Sequence, residues 1–228
     1  MDIVIQCAAT KDPNAGRLRT QDGRVVHFVA APEFCSGASG MQYARPDDIS
    51  DLPPLTWRDR LEKYVDEESD ANPLDLREAY RLYRHPAYAS LVRTFGIRQV
   101  FILSAGWGVV RADYLLPAYD VTFNRRAKEK NPAAFCASRD GYKYFQQLSK
   151  RDEGPIVFLG GKDYLPLFDS LTIPLQRERV VFTRAEEAGS AAKRLPRYLF
   201  EERPFVVAAR TNWHYQCAQA LAAGLISV

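Results

Sequence analysis

The sequence lacks several features that would indicate a membrane protein, a disulfide-rich protein or a metal site. No apolar run approaches the ~18 residues that are needed to span a bilayer. Only 4 of the 228 residues are cysteine, and none forms the CxxC pair that is typical of zinc sites. The 3 histidines, His27, His85 and His214, form neither HxH nor HExxH. Metal catalysis is therefore disfavoured, although a site made only of carboxylates stays open, and we expect no cofactor.

Glycine patterns of nucleotide-binding loops are also missing. Neither GxGxxG nor GxxxxGK[ST] occurs, so dinucleotide and Walker-type phosphate sites have no support. The first residues, MDIVIQCAATKD, have no basic start and no long apolar segment, so we expect no secretory signal and a cytoplasmic protein. The composition, with 46% hydrophobic and 26% charged residues, is typical of a globular protein that is large enough to bury its own core.

Positive charge is concentrated in the second half of the chain. Residues 1–120 carry 14 basic and 17 acidic side chains, whereas residues 121–228 carry 17 basic and 11 acidic ones. Four of the basic side chains fall in one short stretch, 125–130. Such asymmetry is typical of a surface that faces nucleic acid, and an ordinary solvated face is the alternative.

Apolar runs of strand length alternate with helical patterns along most of the chain. The runs predict strands at residues 2–7, 25–30, 99–104, 155–159, 179–182 and 205–209. The helical patterns predict helices at residues 57–65, 74–83, 87–95, 140–148, 163–171 and 211–221. Residues 32–56 are rich in Pro and Gly and are predicted to form loop. This alternation predicts one α/β domain over residues 1–228, with a mixed, mostly parallel sheet flanked by helices.

Three of the predicted strands end in polar or glycine-rich segments. Ligands bind just past the carboxyl ends of strands in open α/β sheets, so we expect these segments to converge on one pocket. They contain Lys11 and Asp12, then Ser104, Gly106, Trp107 and Asp113, and finally Gly161, Lys162, Asp163 and Tyr164. The alternative is that Asp12 and Asp163 only cap helices and that Trp107 belongs to the core.

A further polar segment lies at the start of the last predicted helix. Asn212, Trp213 and His214 follow the strand at 205–209, and Arg210 adds positive charge just before them. A helix start can bind an anion, so these side chains are candidates for contact with a phosphate or a base. The alternative is a capped helix whose Trp213 packs on the sheet.

Residues 101–120, FILSAGWGVVRADYLLPAYD, resemble the signature of the YaaA superfamily. In that signature a strand ends in Leu-Ser, a small residue and an aromatic–Gly pair, and Pro and Tyr follow further along. The positions that match are Ser104, Trp107, Gly108, Val109 and Tyr119. A weaker likeness extends over residues 2–175 and includes Lys11, Asp163 and Tyr164.

The resemblance implies a protein that acts on DNA. The family includes DNA-binding proteins of oxidative stress, and relatives are linked with modified bases, in phage DNA hypermodification and in nucleobase removal. We therefore expect a DNA glycosylase that releases a modified base from double-stranded DNA, with antiphage defence as its setting. Two alternatives stay open: a non-catalytic DNA-binding protein of the stress response, and an enzyme that removes or transfers the base of a free nucleoside or nucleotide.

Roles can be assigned to the candidate residues from the chemistry of glycosidic cleavage. The transition state carries positive charge on the sugar, which a nearby carboxylate stabilises. The catalytic candidates are Asp113, which we favour, Asp120, Asp163 and Lys11. An extruded base needs stacking and polar contacts. The base-binding candidates are Ser104, Trp107, Tyr119, Tyr164, Asn212, Trp213 and His214. The candidates for contact with DNA phosphates are Arg125, Arg126, Lys128, Lys130, Lys162 and Arg210.

Overall fold

The structure is a computed structural model that describes residues 1–36, 40–125, 127–136, 143–151, 153–187, 200–206 and 212–228. The strands are β1 (Asp2–Gln6), β2 (Val25–Val29), β3 (Met41–Ala44), β4 (Arg77–Glu78), β5 (Val100–Ser104), β6 (Gly108–Arg111), β7 (Leu115–Leu116), β8 (Tyr119–Asp120), β9 (Phe145–Gln146), β10 (Ile156–Leu159), β11 (Arg179–Arg184) and β12 (Phe200–Phe205). The α-helices are α1 (Trp57–Glu68), α2 (Ala79–Leu82), α3 (Pro86–Phe95), α4 (Ala127–Lys130), α5 (Leu165–Thr172) and α6 (Trp213–Ala222).

Seven of the strands form the central sheet, in the order β12-β11-β10-β1-β5-β6-β9. The first five of these run parallel to one another, β6 runs antiparallel to β5, and β9 runs parallel to β6. Every residue of β5 and β10 is buried, as expected for parallel strands that are covered on both faces. The chain is thus an α/β protein with a mostly parallel sheet, as the alternation of strands and helices predicted.

A smaller parallel sheet, in the order β3-β2-β8, packs beside the central one. Phe28 of β2 stands opposite Tyr119 of β8 and is fully buried. The Phe28 ring lies 5.0 Å from the Trp107 ring in an edge-to-face contact. One face of the small sheet therefore belongs to the protein core. The remaining strands, β4 and β7, form a two-stranded antiparallel pair.

Local sequence signals explain where the longer helices begin and end. α1 starts at a capping box, in which Asp59 N–H donates to Thr56 Oγ1 at 3.1 Å and the Asp59 carboxylate accepts from Thr56 N–H at 2.8 Å. α3 begins at Pro86, which fits the first helical position, and ends at Gly96, whose φ of +88° suits only glycine well. No helix in the described residues has the length and hydrophobicity that crossing a bilayer requires.

Two of the predicted helices are wrong in part. Instead of continuing a helix over 140–148, Phe145 and Gln146 add a strand to the edge of the sheet, where Phe145 N–H donates to the Trp107 carbonyl at 2.7 Å. Residues 140–142 lie outside the described residues. The helix predicted at 74–83 is reduced to Ala79–Leu82, because the Asn72 side chain binds both backbone groups of Leu76 and closes a turn there.

Two strand predictions also need correction. The last strand of the central sheet is Phe200–Phe205 rather than 205–209, and residues 207–210 lie outside the described residues. Met41–Ala44 form a strand within the segment that was predicted to be loop. This strand pairs with β2, with Val25 opposite Met41. Its short length and mixed polarity left no signal in the sequence, so the pairing partner decides its conformation.

Candidate active site

A cluster of hydroxyl and thiol groups lies where β1, β5 and β10 end. These strands are parallel neighbours, so their carboxyl ends meet at one edge of the sheet. Ser104 Oγ donates to the Tyr119 hydroxyl at 2.8 Å, and the hydroxyls of Tyr119 and Tyr83 are 2.7 Å apart. Cys7 Sγ lies 3.3 Å from the Tyr164 hydroxyl. All five side chains are buried, and we call them the hydroxyl cluster.

The phenols of the hydroxyl cluster stay protonated. Burial raises the pKa of Tyr83, Tyr119 and Tyr164 well above the ordinary value, and the charge of the Cys7 thiolate would raise the pKa of each phenol further. These groups therefore act as hydrogen-bond donors and acceptors rather than as bases. Their mutual hydrogen bonds make the hydroxyl cluster a rigid support beneath the carboxyl edge of the sheet.

Lys11 packs directly against this cluster. Its ammonium nitrogen lies 4.3 Å from the centroid of the Tyr119 ring and 3.5 Å from the Ala9 carbonyl oxygen. Burial lowers the pKa of Lys11 from its ordinary value, while the charges of Cys7 and Asp120 act to raise it. Lys11 is thus a half-buried cation that lies within electrostatic reach of the Asp120 carboxylate.

Asp120 lies on the outer face of the small sheet. Side chains alternate across a strand, and Phe28 turns into the core, so its neighbours lie on the other face, where His27 is half-buried and Val29 is buried. Tyr43 stands opposite His27, and Asp120 stands opposite Val29. Tyr43, His27 and Asp120 therefore share one face. The register of three short strands assembles this group from three distant parts of the chain.

Cationic and amide groups surround the Asp120 carboxylate. Asn131 Nδ2 donates to Asp120 Oδ2 at 2.6 Å and fixes the orientation of the carboxylate. Burial lowers the pKa of Arg17, and Asp120 and Tyr43 oppose that shift, so the guanidinium lies within electrostatic reach of both. Burial and the nearby Arg17 lower the pKa of His27. The group that we call the Asp120 site comprises Lys11, Arg17, His27, Tyr43, Asp120 and Asn131.

Asp113 lies at the opposite edge of the central sheet. Because β6 runs antiparallel to β5, the chain returns toward the amino end, where Ala112 N–H donates to the Val100 carbonyl at 2.8 Å. Asp113 follows immediately and pairs with Arg111 at 2.5 Å. The prediction that Asp113 shares a cleft with Lys11 and Asp163 is therefore wrong. Asp113 is close in sequence to the Gly-rich turn, but the chain reverses direction in β6 and places Asp113 at the amino ends of the parallel strands.

Trp107 belongs to the core. It is fully buried between Phe28, at 5.0 Å, and Phe145, which is stacked on it at 6.2 Å between ring centroids. Neither face of the indole is free, so the prediction that Trp107 stacks on an extruded base is wrong. Ser104, Tyr119 and Tyr164 are buried in the hydroxyl cluster, so they support the carboxyl edge from beneath and do not line an open pocket.

The start of α6 is packed rather than open. Trp213 and His214 are buried, so the prediction that they contact a base or phosphate is wrong. Burial, together with the neighbouring His85, lowers the pKa of His214 to about 3. Asn212 is exposed at the N-cap position, with a left-handed φ of +60° and no side-chain hydrogen bond to the helix. The burial of Trp213 agrees with the alternative that the sequence left open, but Asn212 provides no side-chain cap.

Basic side chains flank the Asp120 site. Arg125, Lys128 and Lys130 are exposed on the segment that joins Asp120 to Asn131. Lys162 is exposed beyond β10, and Asp163 beside it is half-buried at the carboxyl edge. A contact between the Phe123 and Tyr164 rings, at 5.1 Å, brings these two segments together. Arg126 and Arg210 lie outside the described residues.

Four members of the Asp120 site were missed from the sequence. His27 alternates with the apolar Val26 and Phe28, a signal that places it on an outward face. Arg17, Tyr43 and Asn131 carry no local signal. Tyr43 joins the site through the pairing of β3 with β2, and Asn131 joins it through the turn after α4. Arg17 joins it because its guanidinium donates to the Ala118 carbonyl at 3.3 Å.

Neither models of known protein families nor the curated proteins gave a match to this chain. In the described residues, no three His, Cys, Asp or Glu side chains lie together in a way that could hold a metal ion.

Proposed function

We propose that this protein hydrolyses the N-glycosidic bond of a base in DNA, with Asp120 as the carboxylate that stabilises the sugar cation. The single observation that carries the proposal is the setting of Asp120. Its carboxylate is solvent-exposed at a strand end, is oriented by Asn131 at 2.6 Å, and lies within electrostatic reach of Lys11 and Arg17. A preorganised anion of this kind is what an oxocarbenium-like transition state requires.

The neighbours of Asp120 supply the remaining functions. Tyr43 is half-buried, and its ring lies 5.5 Å from that of His27, so an aromatic surface lies on the same face of the small sheet as the carboxylate. An extruded base can stack there, which is the role that the buried Trp107 cannot fill. Arg17 and Lys11 are donors for the departing base, whose negative charge grows as the bond breaks.

The basic segment favours DNA over a free nucleotide as the substrate. Arg125, Lys128 and Lys130 are exposed on the same short segment that carries the carboxylate and its amide partner. Cations spaced along a segment next to the site match the repeated phosphates of a strand. A free nucleoside offers no phosphate, and a free nucleotide carries phosphate at one position only, so neither would contact several spaced cations. A modified base is the proposed target, on the resemblance of residues 101–120 to the YaaA superfamily.

The proposal is tested by incubating the protein with modified phage DNA and with unmodified DNA. Released base is measured by mass spectrometry, and abasic sites are counted with an aldehyde-reactive probe. The change Asp120→Asn should lower base release ~10²–10³-fold, because it removes one preorganised electrostatic contact. DNA binding should survive, and EDTA should leave release intact.

The matched control is Asp113→Asn, at the opposite edge of the sheet, which should release base at the wild-type rate. Equal activity of the Asp120→Asn variant would overturn the assignment of Asp120. If no modified or damaged DNA releases a base while salt-sensitive binding persists, the non-catalytic DNA-binding alternative replaces the enzyme.

A further inference from the structure

Lys11 is a half-buried cation that contacts an aromatic ring rather than a carboxylate. Arg60 pairs with Asp51, and Arg177 pairs with Asp2 at 2.6 Å. Lys11 instead places its amine over the Tyr119 ring and forms no ion pair in the part of the chain that the structure describes. A cation that only holds the fold together would gain by such a pair, so the unpaired amine points to another use.

The surroundings of Lys11 make its amine easier to deprotonate than the amine of an exposed lysine. The side chain is half-buried, it follows β1 at the carboxyl edge, and it rests on the rigid hydroxyl cluster. Burial lowers the pKa of Lys11. Lysines that are desolvated in this way are the ones that form imines with carbonyl compounds.

We propose that the Lys11 amine forms an imine with C1′ of an abasic deoxyribose, so that the protein also cleaves the DNA strand at such sites. The inference takes its substrate from the proposed function, because base release leaves a sugar that equilibrates with its open aldehyde. Strand cleavage at this sugar would consume the product of base release.

The step balances without an oxidant, a reductant or a metal. The neutral Lys11 nitrogen adds to the C1′ aldehyde, one proton is taken up from solvent, and water leaves to give a protonated imine. A base removes a C2′ proton, the electron pair forms the C2′–C3′ double bond, and the C3′–O bond breaks, so that the 3′ phosphate leaves with its electrons. Asp120, whose charge reaches Lys11, is the carboxylate assigned to accept the proton. Water then hydrolyses the imine and frees the lysine.

The test uses end-labelled DNA with one abasic site, made beforehand by a uracil glycosylase from a single uracil. With sodium borohydride the imine is reduced to a stable amine, so the wild type should give a covalent protein–DNA band on a denaturing gel. Without borohydride it should nick the strand. Peptide mapping should place the adduct on Lys11.

Two substitutions separate a nucleophile from a phosphate contact. Lys11→Ala and Lys11→Arg should each lose the covalent band and the nicking by ~10²-fold or more, since Arg keeps the charge but not a nucleophilic amine. The control Lys63→Ala, at an exposed lysine of α1, should behave as the wild type. Circular dichroism of each variant checks the fold.

The preformed abasic substrate allows imine formation to be measured independently of base release. A wild-type protein that releases base but gives no covalent band overturns the imine and leaves base release in place. A band that persists at full yield in Lys11→Arg also overturns it. A Lys11-dependent band, with no base released from any DNA, supports the imine and removes the glycosylase.

Discussion

The amino edge and the carboxyl edge of the central sheet, where its parallel strands begin and end, differ in how their charged groups are paired. At the amino edge the charges are paired: Asp2 binds Arg177 at 2.6 Å and Asp169 binds Arg179 at 2.5 Å, with all four residues buried. At the carboxyl edge the buried polar groups are hydroxyls and a thiol that bond to one another, and Lys11 forms no ion pair with a carboxylate among the described residues.

This difference indicates which charges hold the fold and which are available for chemistry. A buried carboxylate that is matched to an arginine has its field cancelled, and its main consequence is stability. The Asp120 carboxylate is exposed and, among the described residues, it accepts a hydrogen bond from the neutral amide of Asn131. Its field therefore reaches outward. The comparison predicts that substitutions at the amino edge change stability and that substitutions at the carboxyl edge change activity.

The largest expected effect is on stability, from Asp2→Ala. This change leaves the buried Arg177 guanidinium with only the Gly154 and Ser149 carbonyls, and it should lower the free energy of unfolding by ~3–5 kcal/mol in urea denaturation. The double variant Asp2→Ala/Arg177→Met should recover much of the loss. Asp120→Ala should change stability by less than ~0.5 kcal/mol. Equal losses at Asp2 and Asp120 would break the comparison between the edges.

The next effect is on DNA affinity. Changing Arg125, Lys128 and Lys130 to Ala should reduce the slope of log affinity against log salt by about 2.7, if each cation neutralises one phosphate with a slope of ~0.9. Near physiological salt this corresponds to binding that is weaker on the order of a hundredfold. A fluorescence anisotropy titration at several salt concentrations measures both quantities.

The matched control for this triple variant changes Lys63, Arg93 and Lys150, which are exposed on α1, on α3 and before β10. The control should keep the wild-type slope. If both triple variants lose the same slope, the basic segment beside Asp120 has no special role, and DNA binding depends on overall charge.

The sequence predicted the inner parallel strands β1, β5, β10 and β11, missed β6 and β9, and predicted the site poorly, for a physical reason. β1, β5 and β10 are apolar on both faces because parallel strands are covered on both sides, and that pattern can be read locally. The Asp120 site depends instead on the register of three short strands, which the sequence around Tyr43 and His27 does not indicate. For Asp113 the error is the opposite one. Asp113 is close in sequence to the end of β5, but β6 runs antiparallel to β5 and places it at the other end of the strands.

A smaller effect should appear in the pH dependence of stability, through His214. Burial lowers its folded-state pKa to about 3, whereas an unfolded histidine titrates near ~6.5. The neutral imidazole therefore contributes stability that is fully present above pH ~6.5 and is lost as the pH falls from there toward the folded-state pKa, at about 1.4 kcal/mol per pH unit. By pH ~5 the loss is ~2 kcal/mol. His214→Phe should remove this component, so wild-type and variant curves with parallel slopes between these pH values would contradict it.

The smallest expected effect lies in the hydroxyl cluster, where Tyr83→Phe removes one hydroxyl. Tyr119 loses its 2.7 Å contact with Tyr83 but keeps the hydrogen bond from Ser104 at 2.8 Å, so no buried group is left without a partner. A single neutral hydrogen bond of this kind contributes ~1 kcal/mol, which should appear as a small shift of the urea midpoint with an unchanged slope. Ser104→Ala should lower stability more, because Ser104 Oγ also accepts a hydrogen bond from the Trp107 backbone N–H at 3.0 Å. A larger loss of stability from Tyr83→Phe than from Ser104→Ala would mean that the hydroxyl cluster is organised around Tyr83. The support beneath Lys11 would then come from the residue that follows α2 rather than from the end of β5.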